Sequence, residues 1–185
     1  MAVAEPVSQI ERTLGAVEIR LYAPYVEARV RVQDRAERAA RVAFPILARY
    51  IFGHNRGSAT LAMSAPVTRT PVRLEMTAPV TVTPKADSQL VAFILPRQVT
   101  LDNAPEPIDS SVELAYVPAR RIAAIRFSGR WTQANDQKHL EQLLQTLRKS
   151  GLTWVGEPTV ARYNPPWTPW FLRRNEIWLE LTTDH

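Results

Sequence analysis

Residues 25–52 have the sequence YVEARVRVQDRAERAARVAFPILARYIF, in which a two-residue hydrophobic period gives way to a helical one. Over residues 25–32 apolar residues alternate with charged ones, as they do on a strand that buries one face. A helix is then expected from Asp34, a residue type that caps helices, to about Phe52, where Gly53 offers a stop. Its core face carries apolar residues at helical spacing, namely Ala36, Ala40, Ala43, Leu47 and Ile51. The stretch therefore predicts a half-buried strand that leads into an amphipathic helix.

The same helix has a second apolar flank beside its core face. At about 100° per residue, and a quarter to half a turn from the core stripe, this flank carries Arg41, Phe44, Ala48 and Phe52. Spacing alone favours a flank that packs under a loop, but an arginine among apolar side chains also suits a flat apolar ligand with acidic groups. Pro45 lies in the same segment and removes one backbone hydrogen bond, so we expect a kink or a first part that ends near Phe44.

The rest of the chain extends the pattern to the order strand, helix, strand, strand, twice over. Residues 61–67 and 74–80 share Met-[Ser/Thr]-Ala-Pro-Val and are predicted as strands, with their prolines at edges, strand ends or bulges. The other predicted elements are strands at 16–22, 90–95, 112–117, 121–127, 153–163 and 175–181 and a helix at about 133–150. This order predicts an α+β fold of two similar halves. The expected organisation is an N-terminal extension at 1–14 and one domain at 15–182, with halves at about 15–99 and 112–182 and a polar linker at about 100–111.

Composition excludes several classes of protein. The 185 residues contain no cysteine, so disulfides, thiolate metal sites and a catalytic cysteine are excluded. The chain lacks the run of about 18 apolar residues that a membrane span needs, and its first residues lack the apolar core of a signal peptide, so we expect a cytoplasmic protein. The net charge of +5 comes from scattered arginines rather than from a basic arm, so nucleic-acid binding is not expected.

The common catalytic motifs do not occur in this sequence. P-loops, dinucleotide-binding loops, zinc-protease motifs and nucleophile elbows are all missing. His54, His139 and His185 are dispersed, whereas a metal site needs several converging ligands, so no metal site is predicted. Glu176 ends the sequence Arg-Arg-Asn-Glu, which indicates an internal ion network that is structural rather than catalytic. We therefore predict a binding module without catalytic residues, rather than a hydrolase or an NTPase.

Four stretches together resemble the SOUL family of haem-binding proteins. They are VEIRLY at 17–22, YIFGHN at 50–55, the two Met-[Ser/Thr]-Ala-Pro-Val segments, and a proline-rich aromatic loop that leads into Arg-Arg-Asn-Glu-Ile-Trp, residues 163–178. Such a loop either packs on apolar surface or presents its rings to a ligand. The order and spacing of the four stretches match the family from about Gly15 to Leu181.

The resemblance implies a twisted antiparallel β-barrel of two pseudo-symmetric halves, flanked by two α-helices. It also implies reversible, low-affinity binding of haem or another tetrapyrrole in a shallow hydrophobic groove along the first helix, in a carrier, buffer or chaperone. The groove positions that match are Arg41, Phe44, Ala48 and Arg49, with Trp167 and Thr168 from the aromatic loop. A histidine proposed as iron ligand in some relatives corresponds to Leu21, and a loop position that is basic in some members is Thr168, so no axial ligand for the haem iron is predicted.

Two alternatives belong to other functional classes. One is an enzyme that removes iron from a tetrapyrrole or opens its ring, with Glu176, His54 or Arg41 as the groups to suspect. The other is a sensor of an amphipathic small molecule. The duplicated half also resembles the GyrI-like family of ligand-binding domains, where flat cationic or apolar compounds lie in the groove between the halves. An acidic residue at the centre of that groove would favour cations, whereas the arginines of the first helix favour anions. The sequence does not specify an oligomeric state.

Overall fold

The computed structural model describes residues 5–63, 65–72 and 88–182 of the chain. Within those ranges the chain forms nine strands and two α-helices: β1 (Ser8–Leu14), β2 (Val17–Tyr22), β3 (Tyr25–Gln33), α1 (Ala36–Ile51), β4 (Val67–Val72), β5 (Ser88–Ile94), β6 (Val112–Val117), β7 (Arg120–Phe127), α2 (Gln133–Lys149), β8 (Trp154–Arg162) and β9 (Asn175–Leu181). A short 3-10 helix, Trp170–Leu172, precedes β9. The predicted α+β class is confirmed.

All nine strands join one antiparallel sheet in the order β1-β2-β7-β9-β8-β4-β5-β3-β6. β1 and β6 are its two edges, and within the described residues they do not pair with each other. The sheet is therefore open, and the barrel that the resemblance implies is not confirmed. A turn at Gly15, whose φ is +62°, lets β1 pair with β2. β1 is therefore the edge strand at the opposite end of the sheet from β6.

The two halves of the sheet exchange their outer strands. β2 precedes α1 in the chain but pairs with β7, whereas β6 follows the polar linker and pairs with β3. The strands β2, β7, β9 and β8 thus mirror β6, β3, β5 and β4 about the centre of the sheet. At that centre β4 pairs with β8, with Val67 opposite Arg162 and Arg69 opposite Val160. One continuous sheet therefore runs through both sequence halves.

Each helix covers the same face of its own half of the sheet. α1 packs on β3 and β5, around buried Ala43, Leu47 and Phe93. α2 packs on β7 and β9, around buried Leu143 and Leu147. Because side chains alternate along strands, the other face has its own buried cluster, made of Tyr22, Tyr25, Ile94, Val117, Ile122, Ala124, Ala161 and Trp178. This second face lies away from both helices.

The structure corrects three details of the first helix. Arg35, rather than Asp34, is the N-cap of α1, and the Asp34 carboxylate accepts the neighbouring N–H of Arg35 at 2.7 Å. Pro45 does not break α1, which is continuous to Ile51. Its ring lies on the exposed side, where water can bond the Arg41 carbonyl that loses its helical donor. The core face also differs from the predicted stripe, because Ala39 and Tyr50 are buried whereas Ala36 and Ala40 are half-buried.

Most predicted strands are present, with two exceptions among the described residues. Of the predicted strand at 61–67, the described residues 61–63, 65 and 66 are not in a strand, and β4 begins only at Val67, directly after Pro66, which has no N–H for a sheet. Residues 1–14 were expected to be an N-terminal extension, whereas Ser8–Leu14 form β1, an edge strand whose residues are almost all exposed. The segment 74–80 lies outside the described residues.

Candidate functional site

The flank predicted on the first helix is an exposed apolar ridge on α1. Arg41, Phe44 and Arg49 are exposed and Ala48 is half-buried. The Phe44 side chain is 40% exposed, and its ring packs edge-on against Phe93 of β5, with centroids 5.2 Å apart and planes at 64°. The buried ring of Phe93 thus holds the Phe44 ring in place, while part of Phe44 remains exposed to solvent.

The ridge continues beyond the end of the helix. Phe52, the C-cap residue, is 62% exposed, so the apolar strip extends from Phe44 past Ala48 to Phe52. Arg41 and Arg49 are both exposed, and at about 100° per residue Arg49 lies about 80° further round the helix than Arg41. The ridge therefore combines apolar surface with two guanidinium groups.

His54 lies where the chain leaves α1. Its Nε2 is 3.2 Å from Nη2 of Arg49. Because a guanidinium can only donate, Nε2 accepts this hydrogen bond and its lone pair is directed at Arg49. In this geometry His54 is not placed to bind a metal through Nε2.

The aromatic loop, residues 163–174, is attached to the other half of the molecule. Gly129, in the turn before α2, donates its N–H to the Trp170 carbonyl at 3.0 Å. Trp167 is 84% exposed and Thr168 is half-buried. Among the described residues, no hydrogen bond, ion pair or ring contact joins Trp167 or Thr168 to the four matching positions on α1. The six predicted groove residues thus form two separate groups.

Leu21 lies near the end of β2 and is 39% exposed. It shares its face of the strand with Val17 and Ile19, which pack in the core beneath α2. A side chain at this position that bound the haem iron would therefore lie on the α2 half of the sheet rather than on the α1 ridge.

Glu176 is the most heavily bonded side chain in the network. Its buried carboxylate accepts hydrogen bonds from Arg20 at 2.8 and 3.2 Å, and from Arg174, Tyr163 and Trp178 at 3.0, 3.0 and 2.7 Å. Burial opposes its ionisation, but the hydrogen bonds and the positive charge of Arg20 outweigh burial and hold the pKa of Glu176 below its ordinary value. The ion network predicted at this position is present. A carboxylate with so many donors is a poor general base.

The second face of the sheet contains a cavity that the sequence analysis missed. It has a volume of about 280 Å³ and lies across both halves, from β3 and β5 to β7, β8 and β9. Apolar side chains that include Leu90, Val117, Ile122 and Trp178 line part of it. Its charged lining residues are Glu27, Arg29, Arg120, Glu157 and Glu180. The sequence did not identify Glu27 and Arg29 as cavity residues, because charged residues at alternate strand positions ordinarily mark a solvent face.

Glu27 is the unusual residue of this cavity. Its side chain is only 10% exposed, and its closest ion-pair contact is with Nη1 of Arg29, at 3.7 Å. The other arginine contacts are shorter, since Arg29 bonds Glu113 at 2.6 Å and Arg120 bonds Glu180 at 3.2 Å. Burial raises the pKa of Glu27, and the nearby Arg120 and Arg29 only partly oppose this shift. The cavity thus contains a buried carboxyl group whose ion pair with Arg29 is long and is shared with Glu113.

Metal binding and membrane insertion both bear on function. Within the described ranges, no three histidine, cysteine or acidic side chains come together as a metal site would require. In the same part of the chain, neither helix combines the length and apolar character needed to cross a membrane.

The comparisons with known proteins agree at the level of sequence and of fold. The family model described as "SOUL heme-binding protein" matches residues 4–180. Mouse "Heme-binding protein 1" is 30% identical over 159 residues, which are 82% of this chain and 77% of that protein.

Two solved structures share the fold. The C-terminal domain of EcmrR superposes with a TM-score of 0.68 at 12% identity, covering 91% of this chain and 98% of the domain. A conserved protein from Listeria innocua superposes with a TM-score of 0.66 at 11% identity, covering 90% and 92%. At such identities the likeness concerns the fold alone.

Proposed function

This chain belongs to the SOUL family of haem-binding proteins, and from that premise we propose that it binds haem or another tetrapyrrole reversibly on the α1 ridge. The observation that supports this site is Phe44, whose ring packs against Phe93 and is still 40% exposed. Such a ring is ready to stack on a flat aromatic ligand without first being ordered. The role that follows is that of a carrier, buffer or chaperone.

The charges of the ridge suit the acidic edge of a tetrapyrrole. Arg41 and Arg49 are exposed, and a guanidinium pairs with a carboxylate through two hydrogen bonds. Exposed pairs of this kind contribute about 1 kcal/mol or less each. A convex ridge with two exposed arginines therefore favours weak, reversible binding.

We include Trp167 and Thr168 as a second contact surface. The Trp167 indole is free to meet a ligand, since 84% of the residue is exposed. Because the aromatic loop is attached near α2, its contribution is separable from that of the α1 ridge. Variants of the two groups therefore test the two parts of the site independently.

The side chains of the ridge give haem iron no strong ligand. His54 directs Nε2 at Arg49, and Leu21 has no ligating atom. We therefore expect an iron-free porphyrin to bind with an affinity similar to that of haem. The enzyme hypothesis has weaker support, since Glu176, its main candidate acid or base, is enclosed by donors.

The proposal is tested by absorbance titration of the protein with haemin and with protoporphyrin IX. The double variant Arg41→Ala/Phe44→Ala should lose saturable binding of both ligands. The matched control Ile10→Ala/Arg12→Ala also removes an exposed apolar side chain and an arginine, but from β1 at the far edge of the sheet, and should bind like the wild type. Equal binding by both variants would show that the binding site does not lie on α1.

Glu27 favours a second candidate function, the binding of a small amphipathic cation in the cavity on the second face. Three acidic and two basic side chains line the cavity, and the two arginines already bond other acids. A cationic ligand would give Glu27 a closer partner than Arg29, while Trp178 and Ile122 would contact the apolar part of that ligand. The volume of about 280 Å³ is small for a ligand pocket, so the ligand would be small.

Phenyltrimethylammonium and its uncharged isostere tert-butylbenzene distinguish this candidate from simple apolar binding. Tryptophan fluorescence would follow both titrations, since Trp178 lines the cavity. The wild type should prefer the cation, and Glu27→Gln should abolish that preference, whereas Glu18→Gln, outside the cavity, should retain it. A wild type that does not discriminate between the two compounds would exclude a cation site.

A further inference from the structure

The aromatic loop ends in an exposed apolar tip, which we define as Trp167, Trp170, Phe171 and Leu172. These residues are 84%, 49%, 58% and 64% exposed. Large side chains scattered singly over a surface are ordinary, but four within six positions form a continuous patch. Such patches mark surfaces that meet another apolar phase.

The loop holds this tip in a fixed shape. The Arg173 guanidinium reaches back along the loop and donates to the carbonyls of Thr168 and Pro166, at 2.8 and 2.6 Å. At the base of the loop, the Arg174 N–H donates to the Asn164 side chain at 2.6 Å. These bonds order the loop without burying the tip, so docking costs little further conformational entropy.

The aromatic loop and the turn beneath it carry arginines and no acidic residue, and the acids that directly follow them, Asp136 and Glu176, are paired with arginines. No Asp or Glu occurs in residues 163–175 or in residues 127–135, the turn on which the loop rests. The Arg130 guanidinium lies over the Trp170 ring, 5.9 Å from its centroid, and Arg173 lies over the Trp131 ring at 4.5 Å. The chain as a whole carries a net charge of +5. A partner surface with negative charge would therefore complement this region.

The two tip indoles also keep their N–H groups available. Within the described residues, the Nε1 atoms of Trp131 and Trp178 donate to Asn175 and Glu176, but those of Trp167 and Trp170 have no such acceptor. An indole with an apolar body and an unpaired N–H is suited to the lipid–water interface, where headgroup oxygens accept the hydrogen bond.

We propose that the apolar tip docks on the surface of a bilayer that contains anionic lipid. Trp170, Phe171 and Leu172 enter the interface, while Arg130 and Arg173 remain at the level of the headgroups. Only a few side chains insert and few charges contribute, so the association is weak and reversible. The proposal does not depend on the tetrapyrrole site, and it holds for the ligand-free protein.

The test is co-sedimentation of the ligand-free full chain with vesicles of phosphatidylcholine alone and of phosphatidylcholine mixed with phosphatidylserine. The wild type should bind the anionic vesicles, and added salt should weaken that binding. The variant Trp170→Ser/Phe171→Ser should lose about tenfold or more in partitioning, because two interfacial side chains are removed. Arg130→Glu should bind anionic vesicles less well than the wild type, with little change for neutral vesicles.

A matched control and a folding check make the result decisive. Ile108→Ser/Leu101→Ser removes two comparably exposed apolar side chains from the segment before β6 and should sediment like the wild type. Circular dichroism and thermal unfolding establish that each variant is folded.

Three results would overturn the proposal. They are wild type that does not sediment with anionic vesicles, equal sedimentation of the folded tip variant, and a concentration-dependent dimer that the tip variant abolishes. The last result would assign the tip to a second copy of the chain.

Discussion

Arg20 and Glu176 are 156 positions apart in the sequence and form a buried two-point ion pair, with Nη1 to Oε2 at 2.8 Å and Nη2 to Oε1 at 3.2 Å. Arg20 lies on β2 and Glu176 on β9, the strands on either side of β7. The pair therefore fixes strands from the two sequence halves across an intervening strand.

Removal of one partner of this pair should be costly. Glu176→Gln leaves Arg20 without its carboxylate in a buried site, and loss of one member of a buried ion pair costs about 3–5 kcal/mol of unfolding free energy. Urea unfolding measures the change. Glu18→Gln is the control, because Glu18 also contacts Arg20 but is 35% exposed, so its loss should cost about 1 kcal/mol or less. A similar loss in both variants would contradict the special role of Glu176.

The same carboxylate predicts a loss of stability in acid. The pKa of Glu176 is below its ordinary value, so the folded state favours the ionised form. Its contribution is complete above the pKa of glutamate in the unfolded chain and is lost as the pH falls through the lower folded pKa. Urea midpoints measured from pH 7 downward should fall less steeply for Glu176→Gln than for the wild type. Parallel curves would show that other carboxylates dominate.

Glu27 should show the opposite dependence on pH. Burial raises the pKa of Glu27, so the folded state favours the protonated form, and stability is lost as the pH rises from the unfolded pKa through the folded pKa. Glu27→Gln removes a poorly paired buried charge, so at pH 8 its free energy of unfolding should exceed that of the wild type by about 1–3 kcal/mol. Its urea midpoint should rise accordingly. The two proteins should converge near pH 4. A variant that is less stable at pH 8 would mean that Glu27 has a stronger partner than Arg29.

Pro45→Ala should stabilise α1. The alanine restores the N–H that bonds the Arg41 carbonyl and removes the ring from a helix interior, where proline costs about 3 kcal/mol. Proline also restricts the unfolded chain, so we expect a net gain of about 1–2 kcal/mol. Thermal unfolding provides the measurement. A loss of stability would indicate that the pyrrolidine ring contributes packing on the α1 ridge that outweighs the missing hydrogen bond.

Leu21→His tests the place of the tetrapyrrole site. Leu21 lies on the α2 half of the sheet, so a histidine there should not reach a haem bound on the α1 ridge. Haemin titrations of this variant should give the wild-type spectrum and midpoint. A new axial ligand would shift the Soret band and tighten binding, and that result would move the site from α1 to β2.

The sequence was informative where one periodicity dominated. The bounds of β6 and β9 were predicted to the residue, because each is a compact run of strand-forming residues bounded by loop signals. The apolar flank of α1 was visible on the helical wheel, and Phe44 and Arg41 are indeed exposed. β1 gave no signal, because an exposed edge strand has no buried face to impose alternation.

The cavity could not be predicted for a different reason. Glu27 alternates with apolar neighbours like any solvent-facing residue, and only the pairing of β3 with distant strands encloses it. The effect of Pro45 on α1 was hard to predict for a related reason. The free-energy cost of the hydrogen bond that Pro45 removes depends on whether the Arg41 carbonyl faces solvent. Both outcomes depend on tertiary surroundings that local spacing does not encode.

The exchange of outer strands has a consequence for the nascent chain. On a ribosome β1 and β2 emerge early, but β7, the other neighbour of β2 in the sheet, follows about a hundred residues later, with Val17 opposite Ile125. Until then β3 also lacks β6, and both strands expose hydrogen-bonding edges. The first half alone therefore cannot complete the sheet, and we expect its unpaired strand edges to remain open to aggregation until the second half is synthesised.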